Sequence, residues 1–176
     1  MRNEIRVSHS ESLAKQVLDQ YLGQFKKLDN VRPDWLKGLE LDRFYPTLGL
    51  AIEFQGDQHY RTVPGMHKGP EDFQRQITND TQKAHLVSQK GMKLYAINLY
   101  DLDRFRVKNL IKKMAEDGKK YAQVNGNRTE VLKLDSIQWN KEPDELLMRR
   151  SDRMGKMRKS YYKKDKKAWW RKLLGV

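Results

Sequence analysis

The chain contains no cysteine, and that one absence excludes a disulfide framework, thiolate metal sites, iron–sulfur clusters and cysteine nucleophiles together. No apolar run is long enough to span a bilayer, and the opening MRNEIRVSHSES lacks the apolar segment of a secretory signal. A soluble, intracellular, cytoplasmic protein with no membrane partner is therefore expected. No phosphate-cradling glycine loop, zinc motif or serine nucleophile elbow occurs, which removes those enzyme classes. Acids are scarce beside bases: 23 Asp and Glu stand against 36 Lys and Arg, a formal net charge of +13 over 176 residues. A surplus of that size points to a polyanionic partner, nucleic acid before an anionic membrane or a ribosomal surface.

The surplus is unevenly placed. Residues 149–176 hold 12 basic side chains against two acids, Asp152 and Asp165, whereas the preceding 148 residues hold 24 against 21. The chain is accordingly divided into a nearly neutral body, 1–140, and a basic, aromatic-containing helical extension, 141–176. A helix start is expected at Pro143–Glu145, with Leu147, Met154, Met157 and Tyr161 as its apolar stripe and Gly155 as a weak point. Three readings stand for the extension. It is a solvated basic helix docked through that stripe, a nucleic-acid arm, or a segment that binds a membrane surface. In the arm, Arg149, Arg150, Arg153, Lys156, Arg158, Lys159, Lys163, Lys164, Lys166, Lys167, Arg171 and Lys172 meet phosphates while Tyr161, Tyr162, Trp169 and Trp170 stack on bases.

In the body, Ser10 opens a helix over 10–26 with Leu13, Val17, Leu18, Tyr21, Leu22 and Phe25 on one face. Residues 31–38 read as a connection. LELDRF and GLAIEFQ read as two strands joined by a turn at Tyr45-Pro46-Thr47, followed by a loop over 61–69. Pro70 and Gly91 bracket a second helix, with Phe73, Ile77, Ala84 and Val87 along one side. MKLYAINL is a further strand. Residues 103–122 form a third helix through Phe105, Leu110, Ile111, Met114 and Ala115, and 130–138 read as a last strand or extended edge. Strands alternating with helices after a hairpin predict an α/β domain with a mixed sheet.

The stretch carrying chemistry is ELDRFYPTLGLAIEFQGDQHY. If its two strands pair, Asp42 and Glu53 meet at one end of the sheet, beside Gln55. Two strand carboxylates in an apolar setting need partners or a cation, and oxygen ligands favour Mg²⁺ or Mn²⁺. Such a cation neutralises phosphate charge and lowers the pKa of bound water. The competing interpretation is a solvent-facing strand whose acids pair with Arg43 and Lys37. His59, reachable through a turn at Gly56, is a candidate general base, general acid or ligand. Asp80 interrupts an apolar helical stripe and so needs a partner, and Lys83, one turn on, could pair with it or reach a phosphate.

Asp42, the strand AIEFQGDQHY, then Asp80 and Lys83 before KGMKLYAINL, resemble the PD-(D/E)XK nuclease superfamily over roughly residues 10–103. The pattern is most similar to the branch of very short patch repair endonucleases and phage or intron-associated homing endonucleases. The resemblance implies a restriction-endonuclease-like mixed β-sheet flanked by helices and a divalent-metal-dependent DNA endonuclease, phage- or mobile-element-associated. It makes Asp42 and Glu53 metal ligands. Gln55 stands where the superfamily has Lys, so the supporting group is Gln55 itself, Lys83 from the helix, or His59 as base. Glu11 resembles the helix acid that holds metal-bound water, with Glu4 as its substitute. An E-D-x-H-D signature is then Glu11, Asp42, His59 and Asp80, or Asp57 in the last place. The alternative function is a non-catalytic nucleic-acid-binding protein, or a nuclease subunit needing a targeting partner. A homodimer and sequential nicking are both open.

Overall fold

The structure is a computed structural model, and it describes residues 9–55, 70–141 and 143–157. Among these residues five α-helices and four strands follow in the order α1 (His9–Leu22), β1 (Leu28–Val31), β2 (Leu41–Tyr45), β3 (Leu50–Gln55), α2 (Pro70–Gln89), β4 (Lys93–Asn98), α3 (Arg104–Val124), α4 (Arg128–Asp135) and α5 (Glu145–Met157). The strands form one mixed sheet in the order β1-β2-β3-β4. The first two pairings are antiparallel and β3 runs parallel to β4. Among the described residues no helix is long and apolar enough to cross a membrane.

Period-two alternation splits the sheet's side chains between two cores. On one side Tyr45, Leu50 and Ile52 join Leu13, Val17, Leu18 and Leu22 of α1, Ile111 and Met114 of α3, and Leu147 and Met148 of α5. On the other, Phe44 and Ala51 pack with Leu86 and Val87 of α2 and with Leu36, Leu41 and Met92. The β2–β3 connection is a single 3₁₀ turn, Pro46–Leu48, closed by Gly49 at φ 59°. A Cβ at Gly49 would lie about 2.5 Å from the Tyr121 ring, so both the turn and the packing of α3 require glycine there.

Four elements differ from the sequence reading. Residues 28–31, short and half polar, form the edge strand β1, pinned to β2 by Arg43 bonding Asp29. The expected strand at 130–138 is instead α4, since Leu134 packs in the main core and Lys119 pairs with Asp135 across α3 and α4. A short apolar run does not distinguish the two periods, and helix packing decided between them. Phe105, expected on the buried stripe of α3, is 75% exposed, and Val107 takes the buried position. Helix α1 ends at Leu22, before a glycine, rather than at 26.

Helix α5, the start of the basic extension, joins the main core. Leu147 and Met148 are buried, and Ser151 Oγ donates to the Leu102 carbonyl at 2.6 Å. At Gly155 a Cβ would collide with the Asp103 backbone. The glycine that weakens the helix on propensity is what lets it seat against the start of α3. Met154 is half-buried as the stripe predicts, and Tyr161 lies outside the described residues.

Candidate metal centre at the end of the sheet

The antiparallel register runs Tyr45↔Leu50, Phe44↔Ala51, Arg43↔Ile52. Continued by one step it sets Asp42 across from Glu53, on the face that α2 covers. Asp42 is held by the backbone of the opposite strand: its Oδ2 accepts from the Phe54 amide at 2.6 Å. Glu53 is met from α2, whose Lys83 Nζ lies 2.6 Å from Glu53 Oε2. Both side chains of that pair are mostly buried, at 12% and 15% exposure. Glu53 Oε1 is buried with no hydrogen-bond partner among the described residues. Asp80, one turn before Lys83, adds a third negative charge felt by Glu53.

The electrostatics follow from this geometry. Burial, then the charge of Asp42, push the Glu53 carboxyl up to about 7, with Lys83 opposing them. Burial raises Asp42 as well. The Phe54 amide resists that shift and the Glu11 carboxylate adds to it. Asp80 is raised by burial and by Asp42, against the pull of Lys83. Three desolvated acids thus share Lys83, with Lys15 adding a smaller pull on Asp42 alone, an undercompensated arrangement of the kind that collects at functional sites.

The two pairings that would have made these acids ordinary do not occur. Arg43 points to the opposite face, where it bonds Asp29 and Asp19, and Lys37 closes a 3₁₀ turn in the left-handed conformation. Gln55 is buried at the end of β3, in register with Asn98 of β4. It lines a cavity of about 10 Å³ with Ser10, Glu11, Phe54 and Asn98. Glu11 and Gln55 are therefore brought together at the sheet's end, and Asp42, Glu53, Asp80 and Lys83 around the strands. His59 and Asp57 lie outside the described residues, as do Glu4 and the basic and aromatic positions from Arg158 to Lys172. Arg149, Arg150, Arg153 and Lys156 are exposed on α5, Arg149 paired to Glu145 and Lys156 to Asp152.

Lys15 is a site residue that the sequence reading passed over. Its Nζ lies 2.8 Å from Glu11 Oε1, 3.9 Å from Asp29 and 5.6 Å from the Phe54 ring centre, and it offsets the charge of Asp42. The available signal was the Glu11–Lys15 spacing of four, which puts both on one helix face.

Asp42 and Glu53 are the residues here that could hold a divalent cation. Among the described residues no group of three or more His, Cys, Asp or Glu is spaced to hold a metal ion. The observations that bear on this are two hard carboxylates, the charge of Asp42 raising the Glu53 carboxyl, and a buried Glu53 oxygen that lacks a donor among the described residues.

Comparisons with known proteins add relatives without adding chemistry. No family model matches the chain, and no solved structure does. The chain is similar to the uncharacterized protein 307L of Invertebrate iridescent virus 6, 29% identical over 114 residues, which is 54% of this chain and 58% of that protein. It is also similar to the uncharacterized protein 094L of Frog virus 3, 40% identical over 68 residues, 38% of this chain and 44% of that one. A third relative, the uncharacterized protein 033L of Invertebrate iridescent virus 3, is 37% identical over 79 residues, 41% of each. The chain thus spans about half the length of the curated relatives it matches.

Proposed function

We propose that the protein is a divalent-metal-dependent DNA endonuclease of the PD-(D/E)XK type, with a restriction-endonuclease-like core. The observation that carries this reading is the Asp42–Glu53 carboxylate pair, buried at the end of the sheet and met by Lys83 at 2.6 Å. Asp42 and Glu53 are the residues that would hold Mg²⁺ or Mn²⁺. When bound, that cation neutralises phosphate charge and acidifies a water for in-line attack. The chain's own residues do the rest. Lys83 supplies from α2 the ammonium that Gln55 does not supply from β3, and it sits where it can steady both Glu53 and a scissile phosphate. Glu11 and Gln55, sharing one small cavity, are placed to orient a water. The Phe54 amide fixes Asp42 so that one carboxylate oxygen is committed and the other is left for a ligand. His59 is the proposed general base or acid, and α5 with the basic segment beyond it contacts phosphates, which sets affinity rather than sequence choice.

The test is a plasmid-nicking assay with Mg²⁺ or Mn²⁺. Asp42→Asn and Glu53→Gln are each expected to lower the rate about a thousandfold, equivalent to about 4 kcal/mol of barrier. Metal-dependent cleavage surviving both substitutions would remove the site assignment. A second reading is favoured by Gln55 alone: a DNA-binding protein, or a subunit needing a targeting partner, whose site no longer holds metal. Calorimetric titration decides between them, because only the first reading requires Mn²⁺ binding that Asp42→Asn abolishes.

A further inference from the structure

We infer that Phe105, with the cations around it, is a stacking point for an unpaired nucleobase, which makes the substrate DNA with a bulge, flap or other break in its base stacking. The inference rests on the nuclease reading for what is done to the DNA, but not for how the DNA is bound.

A single exposed apolar side chain is ordinary. The company of Phe105 is not. Arg104, Phe105 and Arg106 make up the first turn of α3, where the helix dipole disfavours cations. Capping does not explain them, since Asp103 Oδ1 already accepts from the Phe105 and Arg106 amides at 3.2 and 3.3 Å, and Asp152 from the Arg104 amide at 3.3 Å. The cations are held in place. The Arg106 guanidinium lies 3.4 Å from the Tyr100 ring centre, and Arg104 bonds Glu145, which also bonds Arg149. The ring stands at 75% exposure at the junction of α3 and α5. An exposed apolar ring between two sequence-adjacent cations, each held by a partner of its own, suits a base whose backbone phosphates lie to either side.

Its place in the fold ties it to the acid cluster. Asn98, in register with Gln55, ends β4, and the 3₁₀ turn Leu99–Leu102 leads from it into α3. Leu102 lines the same small cavity as Glu11 and Gln55. The aromatic point and the acids thus belong to one end of the sheet. Bases within an intact duplex offer no free face to a side-chain ring, whereas an unpaired base does. Phenylalanine carries no side-chain hydrogen-bonding atom, so the selection is for structure and not for sequence.

Anisotropy titrations of labelled DNA in EDTA test this on three duplexes of one sequence: intact, carrying a one-nucleotide bulge, and carrying an abasic bulge. The full chain should prefer the base-bearing bulge over the intact duplex by about five- to hundredfold. Phe105→Ala should bring that ratio close to one while leaving intact-duplex affinity within about twofold, and Phe105→Trp should retain the preference. The abasic bulge should bind like the intact duplex. Undiminished preference in Phe105→Ala, equal binding of the two bulges, or no preference in the wild type would each overturn the inference. The two proposals fail separately. Metal-dependent nicking without bulge preference leaves the nuclease reading standing alone, and a Phe105-dependent preference without nicking leaves only the stacking point.

Discussion

Asp42 and Arg43 are neighbours on β2, face opposite sides of the sheet and enter opposite kinds of charge cluster. Arg43, 2% exposed, spends four of its five N–H donors here: Nε and Nη2 on Asp29 at 2.7 and 3.0 Å, Nη1 on Asp19 at 2.8 Å and on the Lys15 carbonyl at 3.1 Å. Lys27 supports Asp19. Burial alone would lower the Arg43 pKa, but Asp29 and Asp19 raise it. Across the sheet, Asp42, Glu53 and Asp80 share Lys83, and one Glu53 oxygen has no partner among the described residues. The first cluster is satisfied within the fold and locks an edge strand. The second is left short of positive charge, which the proposed cation would supply.

The largest effect should come from breaking the satisfied cluster. Arg43→Met leaves Asp29 and Asp19 facing an apolar side chain and should cost about 3–5 kcal/mol in urea unfolding. Loss of β1 from the protected amides in hydrogen exchange should accompany it. A loss below about 1 kcal/mol would mean that the network is decoration and that apolar packing alone holds the edge.

What could be read from the chain follows the same division. The β2–β3 hairpin, α2 and β4 were legible because their periodicity and their Pro and Gly punctuation agree. Asp42 and Glu53 were legible as acids that a paired hairpin brings together, and Asp80 and Lys83 as neighbours one helical turn apart, but the pairing of Lys83 with Glu53 was not. The ends of the ion pairs were not. Nothing in the local pattern says that Arg43 turns toward α1 while Asp42 turns toward α2; that depends on which strand pairs on each side. β1 was hidden for a related reason. Four residues that include Asn30 at φ 51° show no strand period, and their conformation is set by Arg43, which is distant in sequence. The burial of Val107 in place of Phe105 is likewise a matter of how α5 seats on α3.

Neutralising the unsatisfied cluster should have a smaller effect and the opposite sign. At pH 8 Glu53 is ionised in both states but desolvated in the folded one, so Glu53→Gln should stabilise the metal-free protein by about 1–3 kcal/mol. The same substitution is expected to slow cleavage about a thousandfold, a trade of function for stability. The gain should shrink as pH falls. A carboxyl raised from 4.5 to about 7 contributes stability that is complete below 4.5 and lost as pH rises through 7. Asp29 runs the other way. Burial opposes the shift, but the Arg43 bond holds its pKa below the usual value, so its contribution is present above the unfolded pKa and lost as pH falls through the folded one. Denaturant melts of wild type and Glu53→Gln between pH 4.5 and 8 should therefore diverge with rising pH. Parallel curves would show that Glu53 is not strained.

The finest test is whether the two clusters are electrically separate, and carboxyl ¹³C titration of Glu53 provides it. Asp42→Asn removes the negative charge that, after burial, contributes most to raising Glu53, so the midpoint should fall below about 7. Lys83→Met removes both the opposing charge and the bond at 2.6 Å, so the midpoint should rise. Arg43→Lys, which keeps a cation on the far face, should leave it where it is, because the charges that act most on Glu53, those of Asp42, Lys83 and Asp80, lie outside the Arg43 network. A Glu53 midpoint that follows Arg43 as closely as Lys83 would merge the clusters into one network spanning the sheet. The acids would then be part of the scaffold, and the case for a cation between Asp42 and Glu53 would lose its physical basis.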